Sequence, residues 1–591
     1  MTIRDRKKRI YRKRIPYGMQ NFEDIRKRDC YYVDKTSFIE DIEESNMYFF
    51  YIRPRRFGKS LTLSMLENYY DINKAAQFQE IFGGLYIGEN PTPEHNTYLV
   101  IHLNFAEVAD EQGSFIQAFE KYCKQVYSNF ANKYLELLPV GIKEGLASYE
   151  TSIDQFSYLC DQCQIANLKL YLFIDEYDYE SKSYLKDEQF HQRRLVQTQE
   201  EKHITYFFAA IKGAAANSGL KRIFVAGEIP VNYGGLTSGF NIGTNYSLNP
   251  RFNEMTGFTE DEVREMFEYY ASVLPFNHTV DELIKEIKPW YDNYCFAEES
   301  YGETTMYNSV MVLNFLSNYI DCGYKIPKNM VESNVRIDYE KVRMLIRHDK
   351  SFSHDASIIQ QLVTRGYVTG KLVENFPAEQ INDPDNFLSL LFYFGMVTID
   401  GTCKGETKFV IPNEVVRDQM YTYLLDTYKE NDLTYERYDK SKLESKLAYD
   451  GDYKPYFDYI ADCLKRYSSQ RDKQKGEAFV HGFTLAMTSQ CQFYRPISEL
   501  DNDGGYADIF LCPLTDIYTD MTDSYIVELK YCKTDTSEAQ LKHLFADASA
   551  QITRYADSDI VREAVKTTKL HKLVVIYRGA EMVVCEEIGT N

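Results

Sequence analysis

The sequence has no apolar run near the roughly 18 residues that a bilayer-spanning helix needs, so no helical membrane span is expected. Its opening, Met1-Thr2-Ile3-Arg4-Asp5-Arg6-Lys7-Lys8-Arg9, is basic, but the apolar stretch of a signal peptide does not follow. The expectation is a cytoplasmic protein without a membrane partner. Zinc-ligand spacing is also missing. Cys160 and Cys163 form a C-x-x-C, yet neither a second pair nor suitably spaced histidines stand near it. Both precede an apolar strand and read as buried thiols, in keeping with a reducing compartment. Positive charge is in deficit: 67 Lys and Arg face 88 Asp and Glu, a net charge of -21. That argues against a protein that coats nucleic acid through bulk charge, but leaves room for a local basic groove beside acidic metal ligands. The densest basic segment, Arg4 to Arg14, reads either as a phosphate contact or as a solvated arm. Repeats and low-complexity tracts are absent.

With 591 residues, 44% hydrophobic and 26% charged, the chain has the size and composition of three or four globular units. Residues 1–14 are the basic tail. In 15–257, apolar runs alternate with helical segments, the pattern of an α/β sheet domain. Residues 258–465 are mostly helical in period and form a lid and linking region. Thr259 and Glu262 make a capping box, and Val263, Met266, Phe267 and Tyr270 fall on one buried face. Residues 466–591 read as a helix, two strands, a helix and a final strand.

Tyr48 to Ile52 is a short apolar strand. Arg53-Pro54-Arg55-Arg56-Phe57-Gly58-Lys59-Ser60 follows, and Leu63, Leu66 and Tyr70 then share a helical face. Strand, loop and helix are the setting of a phosphate-binding loop. Gly58 permits close backbone approach, and the new helix points free N–H groups at the same place. Lys59 would reach the β- and γ-phosphates of ATP, and Ser60 would ligate Mg²⁺. The first glycine of the usual pattern is replaced by Arg53. Leu170 to Ile174 is a second apolar strand, and it ends in Asp175-Glu176. Asp175 can hold Mg²⁺ through water, and Glu176 can orient or deprotonate an attacking water. A third strand, Arg222 to Gly227, is placed where a γ-phosphate sensor would follow; Thr237, Ser238 and Asn241 are candidates. Arg251 is either a charge-stabilising arginine or a surface ion pair.

Several stretches resemble the bacterial AAA-ATPase-like family over roughly the first 320 residues. They are Ile15-Pro16-Tyr17-Gly18, Tyr32-Val33-Asp34-Lys35-Thr36, Arg53 through Leu61, and Ile174-Asp175-Glu176-Tyr177-Asp178. Leu236 through Ile242, Phe258 through Val263 and Trp290-Tyr291-Asp292-Asn293-Tyr294 also match. The resemblance implies an arginine-rich loop in place of the first glycine, so that Arg53, Pro54, Arg55, Arg56, Phe57, Gly58, Lys59, Ser60 and Leu61 together form the nucleotide loop. It also implies a small polar residue near Ile229, from which Gly227-Glu228-Ile229-Pro230 departs. An arginine supplied by a neighbouring copy, hence a homo-oligomer, is left open.

In the C-terminal section Tyr506 to Leu511 and Tyr525 to Lys530 read as strands. Side chains alternate across a strand, so Glu528 and Lys530 share a face while Val527 and Leu529 point into the core. Asp508 on the neighbouring strand can meet Glu528 to bind Mg²⁺ or Mn²⁺, hard ions that take oxygen ligands. Such an ion polarises a phosphodiester and lowers the pKa of a bound water, while Lys530 positions that water or offsets transition-state charge. Glu477 lies on the preceding helix, and Gln551 on the following one is aimed back toward the sheet. Helix-Glu, strand-Asp, strand-Glu-x-Lys and helix-Gln in this order resemble the PD-(D/E)XK nuclease superfamily over about 460–591. The resemblance implies that Glu477 is a third carboxylate. The favoured reading is thus an ATP-binding and ATP-hydrolysing protein that cleaves nucleic acid, DNA ahead of RNA, with ATP gating the cleavage. The alternatives are a nucleotide-switched binding ATPase with a docking C-terminal fold, and a scaffold using neither site.

Overall fold

The computed structural model describes residues 12–108, 114–179, 199–232, 243–327, 329–331, 358–377, 380, 383–429, 437–467, 477–502, 505–515 and 517–589. The chain divides into two compact units, Met1–Lys325 with Thr369–Asn413, and Ile326–Val368 with Glu414–Asn591.

The first unit is built on nearly unbroken apolar strands, the signature of a parallel sheet covered on both faces. They are β1 (Tyr48–Ile52), β2 (Tyr98–Asn104), β3 (Lys169–Asp175), β4 (Leu220–Gly227) and the short β5 (Thr244–Asn245). The order is β2-β3-β4-β1-β5, parallel throughout. One strand, β4, therefore lies between the strand leading into the loop and the strand ending in acids. On one face, Phe49, Tyr51, Tyr171, Phe173 and Phe224 pack against Leu63, Leu66 and Tyr69 of α3 (Lys59–Tyr70), with α1 (Phe22–Lys27) and α2 (Phe38–Glu44) around them. The second layer consists of α4 (Phe115–Lys133), α5 (Ser152–Ile165) and α6 (Gln199–Asn217). Cys160 and Cys163 are free, buried thiols on α5, as their setting before an apolar strand implied.

The helical region follows with α7 (Glu260–Val273), α8 (Val280–Tyr291) and α9 (Ser309–Asp321). Thr259 and Glu262 form both halves of the capping box, and Val263, Met266, Phe267 and Tyr270 are the buried face. The unit is completed by α10 (Pro384–Tyr393) and the antiparallel pair β6 (Thr398–Cys403) and β7 (Glu406–Val410). This segment is tied to the residues around Asn293. Asn413 Nδ2 donates to the Asp292 carbonyl at 3.0 Å, Asn293 Nδ2 to Pro412 at 3.0 Å, and the Cys295 N–H to Thr398 Oγ1 at 2.8 Å.

The second unit starts with the helix Ile358–Arg365, then α11 (Glu414–Lys429), α12 (Arg437–Tyr449), α13 (Lys454–Tyr467) and α14 (Glu477–Ser489). Its sheet comprises β8 (Tyr494–Asn502), β9 (Gly505–Pro513), β10 (Asp523–Cys532), β11 (Lys569–Arg578) and β12 (Glu581–Glu587), in that order. Only β10 and β11 pair in parallel. Val527 and Leu529 face a core with Leu447, Tyr456, Phe457 and Ile460, so α12 and α13, which both begin before residue 466, pack on the same sheet. The opposite face buries Phe510, Ile526, Val574 and Ile576 under α15 (Glu538–Ala556). The strand pattern read from the sequence omits β8 and β12. Both are edge strands, where Pro496 in β8 and the glutamates of β12 break the apolar alternation that marks a central strand. Among the described residues, no helix is long and apolar enough to cross a membrane.

Candidate functional site

The loop after β1 closes on itself through Lys59. Its Nζ donates to the carbonyls of Arg53 at 2.9 Å and Pro54 at 3.0 Å, so the ammonium lies within the loop. Gly58 caps α3 with φ 96, and Arg56 also takes a positive φ of 69, which bends the backbone around that ammonium. The Arg56 carbonyl accepts from Ser309 Oγ at 3.2 Å, and that of Phe57 from the Gly257 N–H at 2.8 Å. Ser60 Oγ donates to Asp175 Oδ2 at 2.7 Å, joining the start of α3 to the end of β3 across β4. The Asp175 carboxyl sits above its ordinary range because burial disfavours its charge, an effect opposed by Ser60. Glu176 follows at φ 51, with its N–H on Asp175 Oδ1 at 2.9 Å.

Arg53 has a structural setting. Its guanidinium is buried between the rings of Tyr51 (4.4 Å) and Phe296 (4.3 Å), and it donates to the carbonyls of Ile52, Ser247 and Phe252. The side chain thus sits in the core, and only the Arg53 carbonyl meets Lys59. Pro54 packs on Gly395, Phe57 on Tyr294 and Phe296, and Leu61 on the α3 core. Arg251 is engaged by Asp41 at 2.9 Å and Glu44 at 2.5 Å, the surface ion-pair alternative. Thr237, Ser238 and Asn241 lie outside the described residues. Two acids not singled out from the sequence stand here. Glu228, 1% exposed, meets Arg55 Nε at 2.5 Å, and buried Asp178 accepts the N–H groups of Glu228 and Ile229. The signal for Glu228 was the departure at Gly227-Glu228-Ile229-Pro230, whereas Asp178 closes the matching stretch Ile174-Asp175-Glu176-Tyr177-Asp178.

In the second unit, Ile509 pairs with Val527, so Asp508 and Glu528 are neighbours one step along the ladder. Lys530 Nζ lies 2.7 Å from Glu528 Oε1 and 3.7 Å from Asp508 Oδ2, and the Leu529 N–H donates to Asp508 Oδ2 at 2.8 Å. Burial first, then the charge of Asp508, pushes Glu528 well above the ordinary carboxylate range. Lys530 is held above its ordinary value: burial opposes its charge, but Asp508 and Glu528 outweigh that. Glu477, at the start of α14, is raised by partial desolvation; Lys530 opposes this and Asp508 adds to it. One turn on, His481 Nε2 lies 2.9 Å from the Asp508 carbonyl oxygen and so helps to fix that strand. Gln551 is on the face of α15 toward the sheet, between buried Ala548 and Ile552.

Residues 16–237 match the family model described as "Predicted AAA-ATPase", and residues 475–587 match that of the "PD-(D/E)XK nuclease superfamily". The chain carries a domain of each. A curated relative, described as an uncharacterized protein in the vnfD 5′ region of Azotobacter chroococcum mcd 1, is 26% identical over 294 residues. That match covers 49% of this chain and 50% of the relative, so the chain spans about half of the relative's length. Among solved structures, Cdc6p of Pyrobaculum aerophilum aligns over 64% of this chain and 88% of its own at 13% identity and TM-score 0.25. The Aeropyrum pernix ORC2 protein aligns over 66% and 92% at 10% identity and TM-score 0.30.

The donor sets of both domains suit the groups their families imply. In the AAA-ATPase-like domain a lysine ammonium, a helix N-terminus and a serine–aspartate pair converge on one loop, a combination suited to a triphosphate and Mg²⁺. In the PD-(D/E)XK domain, Glu528 Oε2 and Gln551 Oε1 are buried oxygens that no donor among the described residues satisfies, and such oxygens suit a hard cation. Among the described residues, no three Asp, Glu, His or Cys side chains stand close enough to hold a metal together. Asp508 and Glu528 face each other on adjacent strands, and Glu477 is near enough for Asp508 and Lys530 to act on its charge.

Proposed function

We propose that the protein binds and hydrolyses ATP in its first unit and cleaves nucleic acid, DNA ahead of RNA, in its second. The observation that carries the nuclease reading is the Asp508–Lys530–Glu528 cluster. Two carboxylates on adjacent strands share one ammonium, and one of them keeps a buried oxygen without a donor among the described residues. A divalent ion held there would polarise the scissile phosphate and acidify a water. Asp508 and Glu528 would hold Mg²⁺ or Mn²⁺. Asp508 is itself aimed by the Leu529 N–H. Lys530, still an ammonium, would orient the attacking water and offset charge gathering on the phosphate. At the other site Lys59 would bind the β- and γ-phosphates. Ser60 and Asp175 would hold the nucleotide's Mg²⁺, and Glu176 would orient the hydrolytic water.

Purified protein is offered single- and double-stranded DNA and RNA with Mg²⁺ or Mn²⁺, with and without ATP, beside Lys530→Ala and Lys59→Ala. The expected result is metal-dependent cleavage that drops at least about 100-fold in Lys530→Ala, the scale of a lost transition-state donor. In Lys59→Ala, ATP turnover is lost and so is any effect of ATP on cleavage. Cleavage untouched by Lys530→Ala would sink the nuclease assignment. Cleavage equal with ATP, ADP, a non-hydrolysable analogue and in Lys59→Ala would sink the gating.

A further inference from the structure

The mouth of the nucleotide loop holds a charge pair that phosphate binding alone does not require. Ligands of open parallel sheets sit in the crevice beyond the carboxyl ends of the strands. Glu228 lies there, at the end of β4, between the loop leaving β1 and the acids ending β3. A buried carboxylate at that point repels a polyphosphate, so its placement needs a reason.

The two partners are anchored unequally. Glu228 is 1% exposed, whereas the Arg55 side chain is 43% exposed. The glutamate backbone is clamped. The N–H groups of Glu228 and Ile229 donate to Asp178 Oδ2 at 2.9 and 2.8 Å, and Tyr177 Oη donates to the Ile229 carbonyl at 2.6 Å. A Cβ on Gly227 would meet the Tyr177 ring at 2.3 Å, so this turn is seated directly on the residues that follow Asp175 and Glu176. The Arg53 N–H donates to the Gly227 carbonyl at 3.2 Å, which fixes the loop's entry against the same turn. The anion is thus part of the wall. The cation is a long side chain on the phosphate-binding loop, able to swing without moving the backbone.

Given the nucleotide-site reading above, on which this rests, we propose that Glu228 is a positioning residue that holds Arg55 until a γ-phosphate competes for it. The pair then sets the preference for ATP over ADP. With a diphosphate, Arg55 stays on Glu228. With a triphosphate, the guanidinium bridges carboxylate and γ-phosphate and screens one from the other. The sensing charge comes from the phosphate loop itself, and the end of β4 supplies the anion that restrains it.

The test compares the affinities of a non-hydrolysable ATP analogue and of ADP, both with Mg²⁺, by calorimetry on the full-length chain. Wild type, Glu228→Gln, Arg55→Met, the double variant and Lys59→Ala are compared, with near-ultraviolet circular dichroism checking the fold of each. Glu228→Gln removes the Glu228 restraint on Arg55 and raises the analogue-to-ADP affinity ratio roughly tenfold, within the usual span of coupling between sites. Arg55→Met leaves the carboxylate facing the γ-phosphate and lowers the ratio by a similar factor. The double variant regains most of what Arg55→Met lost, a rescue that a merely structural role would not produce. Wild-type binding abolished by Lys59→Ala, with one ratio across the other four proteins, overturns this inference and leaves the nucleotide site standing. A folded wild type that binds neither nucleotide overturns the site itself, and the inference with it.

Discussion

Lys530 is shared by two carboxylates at 2.7 and 3.7 Å, and it does not fully offset the cost of burying Glu528. Desolvation and Asp508 push the Glu528 pKa up to about 7, above its value in the unfolded chain. A raised carboxyl pKa means that the fold prefers the protonated form. The stability it contributes is present below the unfolded pKa of about 4.3 and is lost as pH rises through about 7. In the metal-free protein with a chelator, Glu528→Gln should therefore unfold with wild type near pH 4 and at a clearly higher temperature than wild type at pH 8, where the wild-type fold must ionise the buried carboxyl. Parallel Tm curves for the two proteins would contradict this. Added Mn²⁺ should raise the wild-type Tm at pH 8 and leave that of Glu528→Gln nearly unchanged. In the other unit, Gly395 has φ 72, and a Cβ there would meet Pro54 Cβ and Cγ at 2.9 Å. Gly395→Ala should cost about 1–3 kcal/mol in denaturant unfolding and weaken nucleotide binding, because the strain falls on the loop itself. Unchanged affinity would show that Pro54 yields without moving the loop.

At the start of α7, helix capping and an ion pair use the same glutamate. Glu262 accepts the Thr259 N–H at 2.8 Å and also meets Lys35 Nζ at 2.6 Å. Lys35 is 8% exposed and donates to the Glu254 carbonyl as well, so the Asp34-Lys35-Thr36 stretch is pinned to the helical region by a buried cation. Burial lowers the Lys35 pKa, and Glu262 resists that change. Thr259→Ala removes one cap bond and should cost about 1 kcal/mol in urea unfolding. Glu262→Gln keeps a side chain able to reach the Thr259 N–H but leaves Lys35 without its charge partner. It should cost more, up to about 3 kcal/mol, because an uncompensated buried charge is left behind. A smaller loss in Glu262→Gln than in Thr259→Ala would mean that the ion pair adds nothing to the box.

At the scale of the whole chain, the nucleotide residues lie in one compact unit and the carboxylate cluster in the other. Each ligand should stabilise only the unit that binds it, by about 2.7 kcal/mol at a hundred times its Kd. Calorimetric unfolding should resolve two transitions. ADP at fixed Mg²⁺ should raise one of them, an effect lost in Lys59→Ala. Mn²⁺ alone should raise the other, an effect lost in Glu528→Gln. A single transition that responds to both ligands would show that the units unfold as one cooperative block.

The sequence by itself determined the chemistry that is local. A strand that runs into Gly58-Lys59-Ser60, one that ends in Asp175-Glu176, and the alternation placing Glu528 beside Lys530 each depend on neighbours within a few residues. Chain stiffness and side-chain period fix such patterns wherever the segment ends up. The capping box of α7 was legible for the same reason. Tertiary structure alone decided what depends on distant partners. Strand order set β4 between the loop and the acids, and so brought Glu228 to Arg55. Burial drew the Arg53 guanidinium between Tyr51 and Phe296. Packing assigned 369–413 to the first unit and 414–467 to the second. A helical period states that one face is covered without naming its cover, and polar edge strands such as β8 and β12 have no apolar alternation to announce them. Those choices follow from which surfaces can leave water together, a property of the folded chain as a whole.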